Sequence, residues 1–193
     1  MSDPVAADAR RADAVRNRAR ILQVAAAALS TDPDLSLNAV AKLAEVGPGT
    51  LYRHFPNREA LLLAVYQEEV DTVVASVTTL LAEHAPLDAF RIWSRRLAAH
   101  ARVKHGLGEA LTSAAAQVVI GATWGPVSDA IRRLLDAAAA TNEIPAPVDP
   151  TDVVLLLSAL WRVPAGEEGL IQADRLLELI VAALRCAPDE SQS

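Results

Sequence analysis

Leu37-Asn-Ala-Val-Ala-Lys-Leu-Ala-Glu-Val-Gly-Pro-Gly-Thr-Leu-Tyr-Arg-His-Phe-Pro-Asn-Arg-Glu-Ala-Leu61 is the most informative stretch of this chain. Ser36 stands just before it as a helix N-cap, and Leu37, Val40, Ala41, Leu43 and Ala44 recur at helical spacing, so a short helix is predicted over 37–44. Glu45-Val46-Gly47 interrupts it. Pro48 suits the first turn of a second helix, 48–54, because proline lacks the N–H that would have no partner there. Two short helices joined by so few residues make a helix-turn-helix. Ala41 is small at the crossing, while Val46 and Leu51 are apolar where the helices share a core. The pattern alone also fits a helical hairpin with no nucleic-acid role.

The remainder of the 193 residues reads the same way. Ala and Leu dominate, no run alternates apolar with polar residues as a strand would, and no Gly-rich hairpin turns occur. Pro and Gly divide the chain into about nine helices, over 13–29, 37–44, 48–54, 58–83, 87–103, 106–122, 126–140, 150–162 and 170–185. The fold class is all-α, with the polar tails 1–9 and 187–193 outside the helices. Apolar residues at 52% and charged residues at 22% exclude a disordered polymer. The single cysteine, Cys186, has no internal disulfide partner. No basic and then apolar leader opens the sequence, and stretches such as 153–163 are too short to cross a bilayer. A soluble cytoplasmic protein with no membrane partner is expected.

The net charge of −6 is unevenly spread. Residues 1–60 hold eight Lys/Arg against seven Asp/Glu, whereas the rest hold ten against seventeen. Five arginines and one aspartate crowd into 10–20. A basic N-terminal segment on an acidic body fits a division between nucleic-acid attraction and another task, and equally fits a solvated helix face.

The quoted stretch resembles the DNA-binding domain of the TetR family of transcriptional regulators. Gly49-Thr50-Leu51-Tyr52-Arg53-His54-Phe55, followed by Arg58-Glu59-Ala60-Leu61, carries the resemblance. A preceding helix with Ile21, Ala25, Ala28 and Leu29 on one stripe extends it to about residues 13–70. The resemblance implies a homeodomain-like three-helix DNA-binding domain with a basic arm over 1–60, and an effector-binding and dimerisation domain over 61–193. Pro48–His54 would then enter the major groove of a double-stranded operator. Gly49 would let the backbone approach, Thr50 would offer its hydroxyl or methyl, Tyr52 and His54 would reach phosphate, and Arg53 would contact guanine in bidentate fashion. Ser36 and Asn38 would face the groove edge, and the arginines of 10–20 would supply non-specific attraction, with the arm following the minor groove. Arg58, where the family usually has Lys, would grip a phosphate at a helix start. Two positions depart from the family. Glu45 replaces the usual Gly of a left-handed turn, at a cost of about 1 kcal/mol. Gly47 replaces a Ser or Thr cap and leaves only a backbone N–H for phosphate.

For the second half the resemblance implies a homodimer, a repressor released by a small, mainly apolar effector, and no cofactor. The helix over 150–162 is apolar nearly all round, so it is buried on both sides, and the apolar set of 170–185 is wider than one core stripe. Val154, Leu157, Trp161, Leu177, Ile180, Val181 and Leu184 are the expected dimer contacts, a buried core hairpin in a monomer being the alternative. Trp93, Leu97, His100, Leu107 and Trp124 are the expected lining of the effector pocket, with plain core packing the alternative for each. Enzymatic readings find no support. No Gly-rich phosphate loop follows a strand, Cys186 has no evident activating base, and His100 and His105, five apart, do not stack for a metal. The competing reading is a helical ligand- or protein-binding module that has lost operator binding, which Glu45 and Gly47 would favour.

Overall fold

Side-chain caps and hydroxyl back-bonds set several of the helix ends. The computed structural model describes residues 4–32, 34–106, 114–145, 148–164 and 166–186, and no strand occurs among them. The helices are α1 (Pro4–Thr31), α2 (Leu37–Leu43), α3 (Pro48–His54), α4 (Arg58–Ala75), α5 (Val77–Glu83), α6 (Pro86–Gly106), α7 (Ala114–Ala122), α8 (Trp124–Ala140), α9 (Pro150–Leu157) and α10 (Glu167–Arg185). A 3₁₀ turn, Ser158–Trp161, continues α9.

Ser36 caps α2 by accepting from Ala39 N–H at 3.2 Å, and Asn57 caps α4 by accepting from Ala60 N–H at 2.8 Å. Asp149 caps α9 by accepting from Thr151 N–H at 2.8 Å, and those bonds hold its carboxyl below the usual carboxylate range. The single helix expected over 58–83 is instead two, broken at Ser76 without Pro or Gly. Ser76 Oγ donates to Val73 O at 2.7 Å, and Thr123 Oγ1 donates to Ile120 O at 2.7 Å where α7 meets α8. A hydroxyl that bonds back three residues competes with the helical ladder and bends it. Counting α4–α5 and α7–α8 as one bent rod each gives eight helices among the described residues, where about nine are expected.

Two cores result. The first gathers Ile21, Leu22, Ala25 and Leu29 of α1 with Val40, Ala41, Leu51 and Phe55 of the hairpin and Leu61–Val65 of α4. It also takes in Ala116 and Ile120 of α7, so it reaches past the expected boundary at residue 60. The second core lies around α6, whose Phe90 and Trp93 are fully buried where α6 packs on α4, α5, α8, the 3₁₀ turn and α10. Trp93 is the larger anchor, and its Nε1–H donates to Val73 O at 2.9 Å. α4 spans both cores, with Val70 and Val73 in the second and Tyr66 packed against each. Across the outside, Arg91 of α6 pairs with Asp88 and with Glu178 of α10 at 3.0 Å, and Arg95 pairs with Asp174 at 2.8 Å. The Glu178 hydrogen bond holds the Arg91 guanidinium above its ordinary pKa.

Candidate nucleic-acid interface

The local sequence leaves one side of α3 bare. Leu51 and, just past the helix, Phe55 are buried in the first core. Opposite them Pro48, Gly49, Tyr52 and Arg53 are exposed, and Thr50 and His54 are half-buried. Tyr52 is 45% exposed, so its ring is not part of the core. A Cβ added at Gly49 would meet nothing within 4 Å, so no packing inside the protein requires glycine there. Ser36 and Asn38 are exposed at the start of α2, and Arg58 is half-buried at the start of α4. These ten positions, Gly47 included, therefore cluster along two short helices and the first turn of a third.

The turn between α2 and α3 forms despite its unusual residues. Glu45 takes the left-handed conformation, φ 53°, with its N–H bonded to Lys42 O at 3.2 Å and the next N–H to Ala41 O at 3.0 Å. These bonds satisfy the last carbonyls of α2, as a Gly would have allowed without strain. Gly47 is the N-cap of α3 and makes no side-chain cap bond. α1 flanks this surface. Arg18 lies over the Phe55 ring at 5.6 Å, Arg16 pairs with Asp13, and Arg20 pairs with Glu45. α1 begins at Pro4, so residues 4–9, expected outside the helices, form its first turns.

The body departs further from expectation. Trp93 and Leu97 lie in the second core, whereas Trp124 is 43% exposed on α8. Leu107 and the side chain of His100 lie outside the described residues. Val154, Leu157, Leu177, Ile180, Val181 and Leu184 are all buried in the chain's own second core and leave no surface for a partner. The side chain of Trp161 lies outside the described residues. The large apolar residues left exposed on α9 and α10 are others: Leu155, Leu156, Leu170, Ile171 and Leu179. Periodicity does not phase α9, whose run Val153–Leu157 is apolar on every face.

Comparison with known proteins settles what kind of chain this is. Residues 21–65 match bacterial regulatory proteins of the tetR family, and residues 85–186 match the C-terminal domain of SbtR-like transcriptional regulators. The chain belongs to the TetR family. The TetR transcriptional regulator SCO0520 from Streptomyces coelicolor is 38% identical, with 87% of this chain and 98% of that one covered at a TM-score of 0.75. A TetR transcription regulatory protein from Mycobacterium vanbaalenii is 31% identical over 91% of this chain and 98% of its own, with a TM-score of 0.69. The HTH-type transcriptional regulator SAR0097 of Staphylococcus aureus is 35% identical over 78 residues, 39% of this chain. The chain spans 41% of that curated relative. Membership places this TetR protein among transcriptional regulators, not enzymes. Among the described residues no helix is long and apolar enough to cross a membrane, and no group of three or more His, Cys, Asp or Glu is placed to hold a metal.

Proposed function

We propose that this TetR-family chain is a homodimeric repressor that leaves its operator when a small, mainly apolar ligand binds the body. The observation that carries the DNA half is the bare side of α3, where Gly49, Tyr52 and Arg53 stand exposed beside Thr50 and His54. Arg53 reads a guanine edge, Tyr52, His54 and Arg58 hold phosphates, and Thr50 takes a base or phosphate between them. Ser36 and Asn38 border the groove, and Pro48 and Gly49 let the helix come close.

One such helix reads few base pairs, so two copies are needed to read paired half-sites. Leu155 and Leu156 of α9 and Ile171 and Leu179 of α10 are exposed on adjacent helices, the kind of apolar patch that a second copy covers. For the ligand, a cavity of about 260 Å³ lies between α6, the 3₁₀ turn and α10, walled by Ala98, Ala99, Leu160, Leu170, Ala173 and Leu177. Its walls are apolar, and the Arg95–Asp174 pair stands at its rim. Two proteins that share the fold at under 25% identity were crystallised with resorcinol and with stearoyl-CoA. Ligands so different leave the effector of this chain unnamed.

The test is a salt-dependent shift assay on duplex DNA from beside the chain's own coding sequence. Binding that weakens steeply with salt and survives competition by random duplex supports the reading. Equal competition by random duplex would refute it.

A further inference from the structure

Three α1 arginines with described side chains, Arg16, Arg18 and Arg20, are each already engaged. Arg16 pairs within its own helix, three residues from Asp13, and Arg18 lies on the Phe55 ring. Arg20 differs, because its carboxylate partner comes from another element, the turn that leads into α3. That partner is Glu45, held at φ 53°, where glycine would sit without strain. Local stability gives no reason for glutamate here: the pair is exposed on both sides, and such pairs contribute little to folding. What Glu45 does is set a carboxylate on a guanidinium at the edge of the face that docks on DNA.

We propose that Glu45 stands in for a DNA phosphate. In the free protein it neutralises Arg20, and when α3 docks a backbone phosphate takes its place and the carboxylate is released. Both acceptors are oxyanions that suit the same guanidinium fork, so the exchange needs only a side-chain swing. The exchange tempers attraction to every sequence equally, since phosphate contacts carry no base information. This inference rests on the reading of α3 as the DNA-facing helix.

A double-mutant cycle tests it, read by fluorescence anisotropy on a labelled random 30-bp duplex and on the duplex from beside the coding sequence. Glu45→Gln should tighten both complexes about three- to fivefold, the scale of one exposed ion pair. In the Arg20→Gln background the same change should gain under about twofold, because only simple repulsion between carboxylate and phosphate remains. Glu45→Gly, which accepts the left-handed backbone, should tighten binding as Glu45→Gln does, which assigns the effect to charge and not to strain. Equal gains with and without Arg20 would overturn the exchange, as would no gain at all. Failure of the parent protein to bind either duplex at low salt would overturn the DNA-facing reading and the exchange with it.

Discussion

Leu177 and Leu179 sit two residues apart on α10, and replacing them should have opposite consequences. Leu177 is 1% exposed in the second core, whereas Leu179 is 66% exposed on the far side of the helix. Fully burying a leucine is worth about 1.5–3 kcal/mol, so covering the exposed part of Leu179 adds roughly 1–2 kcal/mol. A two-fold interface uses each residue twice, which makes this about 2–4 kcal/mol per dimer. Leu155, Leu156 and Ile171 are 56%, 51% and 51% exposed. With Leu179 they offer roughly 7–13 kcal/mol per dimer, against an association cost of about 4–15 kcal/mol. The margin is thin, so Leu179→Glu, which also places two carboxylates in the seam, should weaken association at least 30- to 700-fold or so.

Leu177→Ala should instead cost about 2–5 kcal/mol of folding stability and lower Tm by roughly 2–4 °C for each of them, with dimerisation unchanged in the folded fraction. Sedimentation velocity from 0.1 to 100 μM or so, beside thermal melts of the same samples, separates the two effects. If Leu179→Glu stayed dimeric at the parent's concentration while Leu177→Ala became monomeric and folded, the interface would lie on the Leu177 face and the reasoning would fail.

Other outcomes follow from the same structure. Arg53→Ala should cost about 1–3 kcal/mol on the operator and relax preference at one base position, whereas Arg58→Ala should weaken all sequences alike; anisotropy on point-substituted duplexes distinguishes them. Asn57→Ala should destabilise the chain by about 1 kcal/mol through loss of the α4 cap, while Asn57→Asp should keep it, as read by chemical denaturation. Ala173→Leu should fill part of the cavity beside Arg95 and Leu177 and abolish the operator release caused by any effector that binds there, leaving DNA affinity without effector unchanged.

Much of this molecule is legible from local chemistry. α3 runs over the 48–54 read from the sequence because Pro48 opens it and Phe55-Pro56 closes it. α2 ends within a residue of its expected bound because Glu45 has nowhere to go but the left-handed turn. The exposed side of α3 follows from Leu51 and Phe55 alone, since whatever lies opposite two core residues on so short a helix must face out. The body was less legible, for identifiable reasons. Ser76 breaks a helix with a hydroxyl, not with a proline, and most serines in helices do not. α9 is apolar on both faces, and α10 carries Leu170, Ile171 and Leu179 outside its core stripe of Ala173, Leu177, Ile180, Val181 and Leu184, so apolar character alone does not separate core from surface. Trp93 and Trp124 share a residue type and not an environment, since one anchors a core and the other lies on the surface.

The two cores are joined by few elements, and this bears on how the body could govern the DNA surface. α4 leaves the first core at Val65 and enters the second at Val70, and Tyr66 lies between. Its hydroxyl sits 3.2 Å from Thr123 Oγ1, whose own hydrogen is directed at Ile120 O, so Tyr66 is the donor. Ile120 in turn packs in the first core, one turn after Ala116 of the same helix. A shift of α7–α8 relative to α6 would therefore pull on α4 through Tyr66 and through the α7 packing that includes Ile120 together. Packed cores have few intermediate arrangements, so both connections would change in one step. A ligand needs only about 1–3 kcal/mol of preference for one arrangement to change operator affinity roughly 5- to 150-fold, and by reciprocity bound DNA must weaken that ligand by the same factor.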